Sequence, residues 1–165
     1  MTANSSAPRP AARRRRWLLA CAALVGLAFL AVGVAQAQGR YRLPGLRGGS
    51  LSSADLDSGS HVIVVWASWS PRCRDIVDRT NAIADRWGGR ARVVTVVFQE
   101  DAAAVEKFLD GKSLAVATFL DSDGEFSKAH AVTSLPGLVV VRDGEARYQG
   151  RLPTDADSAI ADALR

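Results

Sequence analysis

The spacing of apolar positions along this chain separates strands from helices. Continuous β-branched and aromatic runs at residues 61–67 and 93–98 predict two strands that are buried on both faces. Between them, apolar residues recur at helical spacing over residues 73–87 and stop before two glycines, which predicts an amphipathic helix. Ser70 and Pro71 precede that helix, as an N-cap residue and a proline at the first helical position would.

The second half of the chain continues the alternation with shorter elements. The patterns predict a helix, a strand and a short helix at residues 101–109, 116–120 and 125–130. Residues 138–142 and 146–151 flank Asp143-Gly144, and Asp-Gly between alternating runs predicts a β-hairpin. A last helix is predicted over residues 154–164. This order predicts an α/β fold with a mixed central sheet and helices on both faces.

The residues before the first predicted strand have a different composition. Five arginines precede residue 17, no charge occurs from Trp17 to Ala35, and Ala35-Gln36-Ala37 offers a small-x-small cleavage site. The apolar run fits a secretory signal and is also just long enough to span a bilayer. Residues 1–37 are therefore predicted to be a signal peptide or a membrane anchor, and either places the domain outside the cytoplasm. Residues 38–49 are predicted as a linker, and residues 50–165 as one domain.

The distribution of charge argues against a nucleic-acid partner. The chain has a net charge of +4, but residues 38–165 hold 16 basic and 17 acidic side chains. The basic excess therefore belongs to the leader, and no basic patch remains for a polyanion. With two histidines and two cysteines, no metal site and no cofactor are expected. Asp121 and Asp123 indicate a turn, because the further oxygen ligands of a calcium loop do not follow.

One segment carries the most specific chemistry. Trp66-Ala67-Ser68-Trp69-Ser70-Pro71-Arg72-Cys73 follows a predicted strand and opens a helix, and Ser134-Leu135-Pro136 precedes the hairpin. Together with Leu43-Pro44-Gly45-Leu46 and residues 132–144, these blocks resemble the thioredoxin superfamily over about residues 41–165. Within it they are similar to exported TlpA/DsbE-type proteins, whose pattern is Trp-Ala-x-Trp-Cys-x-x-Cys. The resemblance implies a thioredoxin-like fold, thiol-disulfide oxidoreductase activity, and a cis peptide bond before Pro136.

The chain departs from this pattern at the attacking cysteine, where Ser70 stands. A serine hydroxyl is not appreciably ionised near neutral pH and forms no disulfide, so two-cysteine cycling within one chain is excluded. Cys21 lies in the leader and is a poor partner for Cys73. Ser70 is expected to act as an N-cap through its side-chain oxygen. A nucleophilic Ser70 has little support, because neither His61 nor His130 lies in a triad pattern.

Cys73 and the groove around it leave two functions open. Cys73 is either an inert core residue or a partly exposed thiol that forms one mixed disulfide with a partner. The first hypothesis is an altered oxidoreductase that acts through Cys73, and the second is a redox-inactive module that binds a peptide or protein. The resemblance assigns substrate binding to Trp69, Pro71, Arg72, Leu135 and Pro136. The expected partner is an envelope protein or peptide, with or without a cysteine, and an uncleaved leader would add the membrane.

Overall fold

The computed structural model of the protein describes residues 41–165. The predicted signal peptide or anchor, and with it Cys21, lies outside these described residues. The described strands are β1 (Arg42–Pro44), β2 (Ser50–Ser52), β3 (Ser60–Trp66), β4 (Arg92–Phe98), β5 (Ala117–Asp121), β6 (Gly137–Arg142) and β7 (Glu145–Arg151). The α-helices of this part are α1 (Ile76–Trp87), α2 (Ala102–Leu109), α3 (Glu125–Ala129) and α4 (Ala156–Ala163). No helix within residues 41–165 has the length and apolar character that a membrane span requires.

The central sheet has five strands in the order β5-β4-β3-β6-β7. Strand β3 is parallel to β4 and antiparallel to β6, so the sheet is mixed, as the order of elements predicted. Parallel strands cannot be joined by a tight turn, and α1 supplies the crossover between β3 and β4. The predicted hairpin is formed by β6 and β7. The predicted fold class is therefore confirmed.

Two hydrophobic cores cover the two faces of this sheet. Alternate β3 residues Val62, Val64 and Trp66 pack in one core with residues of α1, α2 and α4. Ile63 and Val65 point to the other core, which includes residues of β1, β2 and α3. Successive side chains of a strand point to opposite faces, so a strand covered on both sides needs apolar residues at every position. This explains the continuous apolar run at residues 61–67.

The segment predicted as a linker is partly folded. Strand β1 pairs antiparallel with β2, and Leu43 is opposite Leu51. Tyr41 and Leu43 are buried in the second core, and the backbone N–H of Leu46 donates to the carbonyl oxygen of Thr118. The linker prediction is therefore wrong for residues 41–49. The turn between β1 and β2 contains Gly45, Gly48 and Gly49.

The helix predicted to start at Ser70-Pro71 is divided into two parts. Residues Pro71–Cys73 form a short 3₁₀ turn, and the α-helix α1 begins only at Ile76. Between them, Asp75 has φ −98° and ψ 13°, outside the α-helical region, which interrupts the helix. The predicted end of the helix at Trp87 is confirmed.

Candidate functional site

A cleft of about 470 Å³ opens where β3 and β4 end and β6 begins. Three segments meet there because β6 runs antiparallel to the other two strands. The lining residues are Trp69, Ser70, Pro71, Arg72, Phe98, Val132, Thr133, Ser134 and Leu135. The structure thus brings together five of the seven predicted site residues. The other two, Cys73 and Pro136, lie outside the lining.

The loop after β3 is held by a carboxylate that the sequence analysis did not single out. Glu100 accepts a hydrogen bond from the backbone N–H of Ser68 at 2.6 Å, and its other oxygen accepts from the Ser68 hydroxyl. A bidentate carboxylate of this kind fixes both the position and the orientation of the loop. The next residue, Trp69, is the one large apolar side chain within residues 41–165 that is strongly exposed, at 60%. The loop therefore presents an indole at the cleft.

Ser70 lies at the floor of the cleft, and Cys73 lies in the core behind it. Ser70 is 7% exposed, while Cys73 is 0% exposed and packs in the core that contains Trp66 and Ile76. The Ser70 hydroxyl makes no N-cap hydrogen bond, so the predicted side-chain cap is wrong. The backbone carbonyl of Ser70 instead accepts from the N–H of Cys73 at 2.9 Å. The cleft consequently presents a hydroxyl, and no thiol.

Arg72 is the charged residue among those that line the cleft. Its side chain is exposed and has no ion pair or hydrogen bond with any residue in the described part of the chain. Pro71 beside it is exposed too. The rest of the lining consists of apolar side chains and the hydroxyl residues Ser70, Thr133 and Ser134. Such a surface can bind apolar and hydrogen-bonding groups and attract an anion.

The opposite wall is the loop before β6. The peptide bond between Leu135 and Pro136 is cis, as the resemblance implied. Pro136 is buried, and its carbonyl oxygen accepts from the N–H of Leu152 at 2.9 Å. A Cβ atom on the next residue, Gly137, would approach Cγ1 of Val132 to 2.9 Å and the carbonyl oxygen of Ser134 to 3.1 Å. Glycine at this position therefore allows the loop to pack directly against the start of β6.

A buried histidine lies just before this loop. His130 is nearly inaccessible, its Nε2 is 2.9 Å from the hydroxyl of Tyr41, and its ring lies 4.5 Å from that of Phe126. Burial lowers the pKa of His130 to about 4, because it disfavours the charged form, and the nearby Asp121 opposes this shift only in part. Burial also raises the pKa of Tyr41. His130 is therefore neutral near pH 7, and it packs against Tyr41 and Phe126.

The turn predicted at residues 121–124 begins with a capping residue that sequence reasoning missed. Asp121 is 1% exposed and accepts hydrogen bonds from the backbone N–H groups of Phe126 and Ser127 at 3.0 and 2.9 Å. The Ser127 hydroxyl donates to the same carboxylate at 2.7 Å. An aspartate a few residues before a short helical pattern is the available signal for such a cap. Within residues 41–165, no group of three His, Cys, Asp or Glu side chains is arranged to hold a metal ion.

Several solved structures share this architecture. MTB DsbF has a TM-score of 0.66 at 20% identity, over 78% of this chain and 97% of that one. A secreted Mycobacterium tuberculosis disulfide oxidoreductase homologous to E. coli DsbE has a TM-score of 0.62 at 20% identity, over 78% and 97%. The exposed lipoprotein thioredoxin Etrx1 of Streptococcus pneumoniae has 0.65 at 20% identity, over 76% and 98%. At these identities the likeness establishes the fold.

The sequence itself establishes the family. No curated protein matches the chain. The sequence model of the Redoxin family matches residues 31–164, which is most of the chain and includes both walls of the cleft. The chain therefore belongs to the Redoxin family and has the thioredoxin-like fold of the DsbE-type proteins that it resembles.

Proposed function

We propose that this protein binds an extended segment of an envelope protein in the cleft, outside the cytoplasm, without dithiol redox turnover. The observation that carries the proposal is the contrast between Trp69, which is exposed at the cleft, and Cys73, which is fully buried. Thiol-disulfide exchange requires a thiolate that can reach the disulfide sulfur. Of Ser70 and Cys73, Ser70 is the one that lines the cleft, and it supplies no thiol.

The shape and chemistry of the cleft support binding. Trp69, Phe98 and Leu135 give it apolar walls, and Ser70, Thr133 and Ser134 add hydroxyl groups. Binding sites for peptides and small ligands combine a large apolar surface with a few placed polar groups. The Glu100–Ser68 hydrogen bonds hold one wall, and the close packing at Gly137 holds the other. A cleft with fixed walls loses little conformational entropy when it is filled.

Location outside the cytoplasm is supported by the leader pattern of residues 1–37. Of the proteins with similar structures, one is described as secreted and one as an exposed lipoprotein. A partner in the same compartment is an envelope protein, and the membrane becomes a second partner where the leader is retained.

A second candidate function is single-cysteine chemistry with a cysteine-containing partner. It is favoured by the position of Cys73, whose N–H is bonded to the carbonyl of Ser70 at the cleft floor. This chemistry requires that the short turn open far enough to expose the buried thiol. The two candidates differ in whether Cys73 is reachable in the native protein.

Thiol labelling distinguishes them. The intact chain with Cys21→Ser carries Cys73 as its one thiol, and we expect a thiol reagent to label it only after denaturation. Insulin reduction by dithiothreitol should proceed no faster with this protein than without it, and Ser70→Cys should create turnover by restoring the missing thiol. Labelling of the native protein at the rate of a free thiol, together with turnover that Cys73→Ala abolishes, would reject the binding proposal in favour of the second candidate.

Binding is tested by selecting phage-displayed random ten-residue peptides on the intact protein. Trp69→Ala should lose most of the enrichment, because it removes the exposed indole from the cleft. Arg92→Glu, a change at the opposite end of β4 from Phe98, is the control and should retain it. Equal enrichment on the wild-type and Trp69→Ala proteins would contradict binding in the cleft.

A further inference from the structure

Arg72 gives the cleft a positive charge, whereas the domain as a whole is slightly acidic. Residues 41–165 contain 15 basic and 17 acidic side chains, so the domain as a whole is slightly acidic. Arg72 nevertheless lines the cleft with an exposed guanidinium that has no ion-pair partner in the described part of the chain. Arg72 is thus the positive charge that the cleft lining itself offers to a ligand.

No carboxylate within residues 41–165 forms an ion pair with Arg72. Glu100, next to the Trp69 loop, is engaged by the backbone and hydroxyl of Ser68. Asp101 accepts from the N–H of Ala104 and caps α2. Asp75 lies on the turn that follows Arg72, but it forms no ion pair with it. The guanidinium of Arg72 is therefore available to a carboxylate from another molecule.

Two further arginines lie close to the cleft in the chain. Arg74 follows Arg72 by two residues and is exposed. Arg151 is in register with Gly137, directly after Pro136, and is exposed as well. Neither has an ion pair within residues 41–165. Neither lines the cleft, so Arg72 is the cationic group that a ligand in the cleft contacts directly, and more distant charges act mainly on the rate of association.

We propose that Arg72 pairs with an Asp or Glu side chain of the bound segment, so that the cleft selects acidic segments. This inference rests on the proposed peptide binding and names the class of partner. The occupant is an extended segment whose apolar side chain contacts Trp69 and Leu135 and whose neighbouring carboxylate reaches Arg72. Guanidinium binds carboxylate with two parallel hydrogen bonds, which adds geometric selectivity to the attraction.

The same phage selection tests this inference when the Arg72 variants are included. Peptides enriched on the wild-type protein should carry Asp or Glu next to an apolar residue. Arg72→Gln should lose the preference, and Arg72→Glu should select Lys or Arg in its place. The control Arg92→Glu changes the net charge by the same amount as Arg72→Glu, but at a site away from the cleft, and it should retain the acidic preference.

Affinity measurements on amidated synthetic peptides complete the test, since amidation removes the C-terminal carboxylate as an alternative anion. For a selected acidic peptide, Arg72→Glu should weaken binding about tenfold at low salt, and Glu→Gln in the peptide should abolish this difference. Enrichment that depends on Trp69 but shows no charge preference, or the same preference on wild-type and Arg72→Glu proteins, overturns the acidic specificity alone. No enrichment at all overturns the proposed binding, and the specificity with it.

Discussion

At the scale of single residues, burial decides which groups of this protein can react. Ser70 and Cys73 are three positions apart, yet one lies at the cleft floor and the other within the core. The group that lines the cleft is a hydroxyl, and no histidine or carboxylate that could activate it is among the lining residues that the structure describes. The thiol of Cys73, which is the better nucleophile, is enclosed by apolar side chains. The residue at the cleft is therefore a poor nucleophile, and the good nucleophile cannot reach a substrate in the cleft.

His130 gives the folded protein a dependence on pH at the same scale. Its pKa is lowered to about 4 in the folded state, whereas an unfolded chain has a histidine pKa near 6.5. Between these values the unfolded state binds a proton that the folded state does not, so the free energy of unfolding falls as the pH falls. From pH 6.5 to pH 4 we expect a loss of up to about 3 kcal/mol.

Urea denaturation at pH values from 7.5 to 4 measures this loss. The contribution of His130 is fully present above pH 6.5, and the variant His130→Gln should have a flatter profile between pH 6.5 and 4. The acidic groups Asp55 and Asp155, whose pKa values are lowered by hydrogen bonds from Ser52 and Ser158, are shared by both proteins and cancel in the comparison. Parallel profiles for the two proteins would contradict a buried neutral His130.

At the scale of elements, α3 depends on a side chain outside it. The helix has five residues, too few to be stable by itself, and it begins after Gly124, which has no side chain to serve as a cap. Asp121, which is buried, supplies the missing acceptor to two of its N–H groups. The carboxylate therefore joins the end of β5 to the helix that precedes the cis-proline loop.

Replacing this carboxylate should destabilise the protein. Asp121→Ala removes the cap and leaves two buried N–H groups and the Ser127 hydroxyl without an acceptor, and we expect a cost of about 2 kcal/mol. Thermal or urea unfolding at pH 7 measures it. Asp123→Ala, two residues further on and exposed, is the control and should be nearly neutral. A similar cost for both variants would show that Asp121 has no special role.

At the scale of the whole domain, the β1–β2 hairpin closes one face of the sheet. Tyr41 and Leu43 pack in the second core with Phe119 and Phe126, and Tyr41 also contacts His130. The domain that folds as a unit thus extends before residue 50, and the hairpin is part of its core.

Two shortened chains test this boundary. A chain that begins at residue 50 loses the burial of Tyr41 and Leu43, and we expect it to be about 4 kcal/mol less stable than a chain that begins at residue 39. Urea unfolding at pH 7 compares them. Addition of a synthetic peptide of residues 39–49 should partly restore the shorter chain. Equal stability of the two chains would instead make residues 41–49 dispensable, as a linker would be.

The sequence predicted correctly those elements whose local residue pattern is specific to one structure. The β-branched run at residues 61–67 predicted a strand covered on both faces, and Asp143-Gly144 predicted the hairpin that β6 and β7 form. The glycine-rich residues 45–49 were predicted incorrectly as part of a linker, because a tight turn and a linker have similar compositions. Ser70-Pro71 is ambiguous in the same way. The pair is typical of a helix start, but the sequence does not show whether the Ser70 hydroxyl forms the cap hydrogen bond.

The sequence by itself determined the α/β fold and the loss of a Cys-x-x-Cys pair, because apolar periodicity and residue type are local properties. Only the tertiary structure showed that Cys73 is enclosed in the core and that Glu100 holds the Trp69 loop. It also showed that His130 is buried, uncharged and within hydrogen-bond distance of Tyr41. Each of these depends on a partner 30 or more positions away in the chain, or on the packing of whole elements. Burial and long-range hydrogen bonds depend on how helices and strands pack against one another in the folded protein. The local spacing of apolar and polar residues does not specify these contacts.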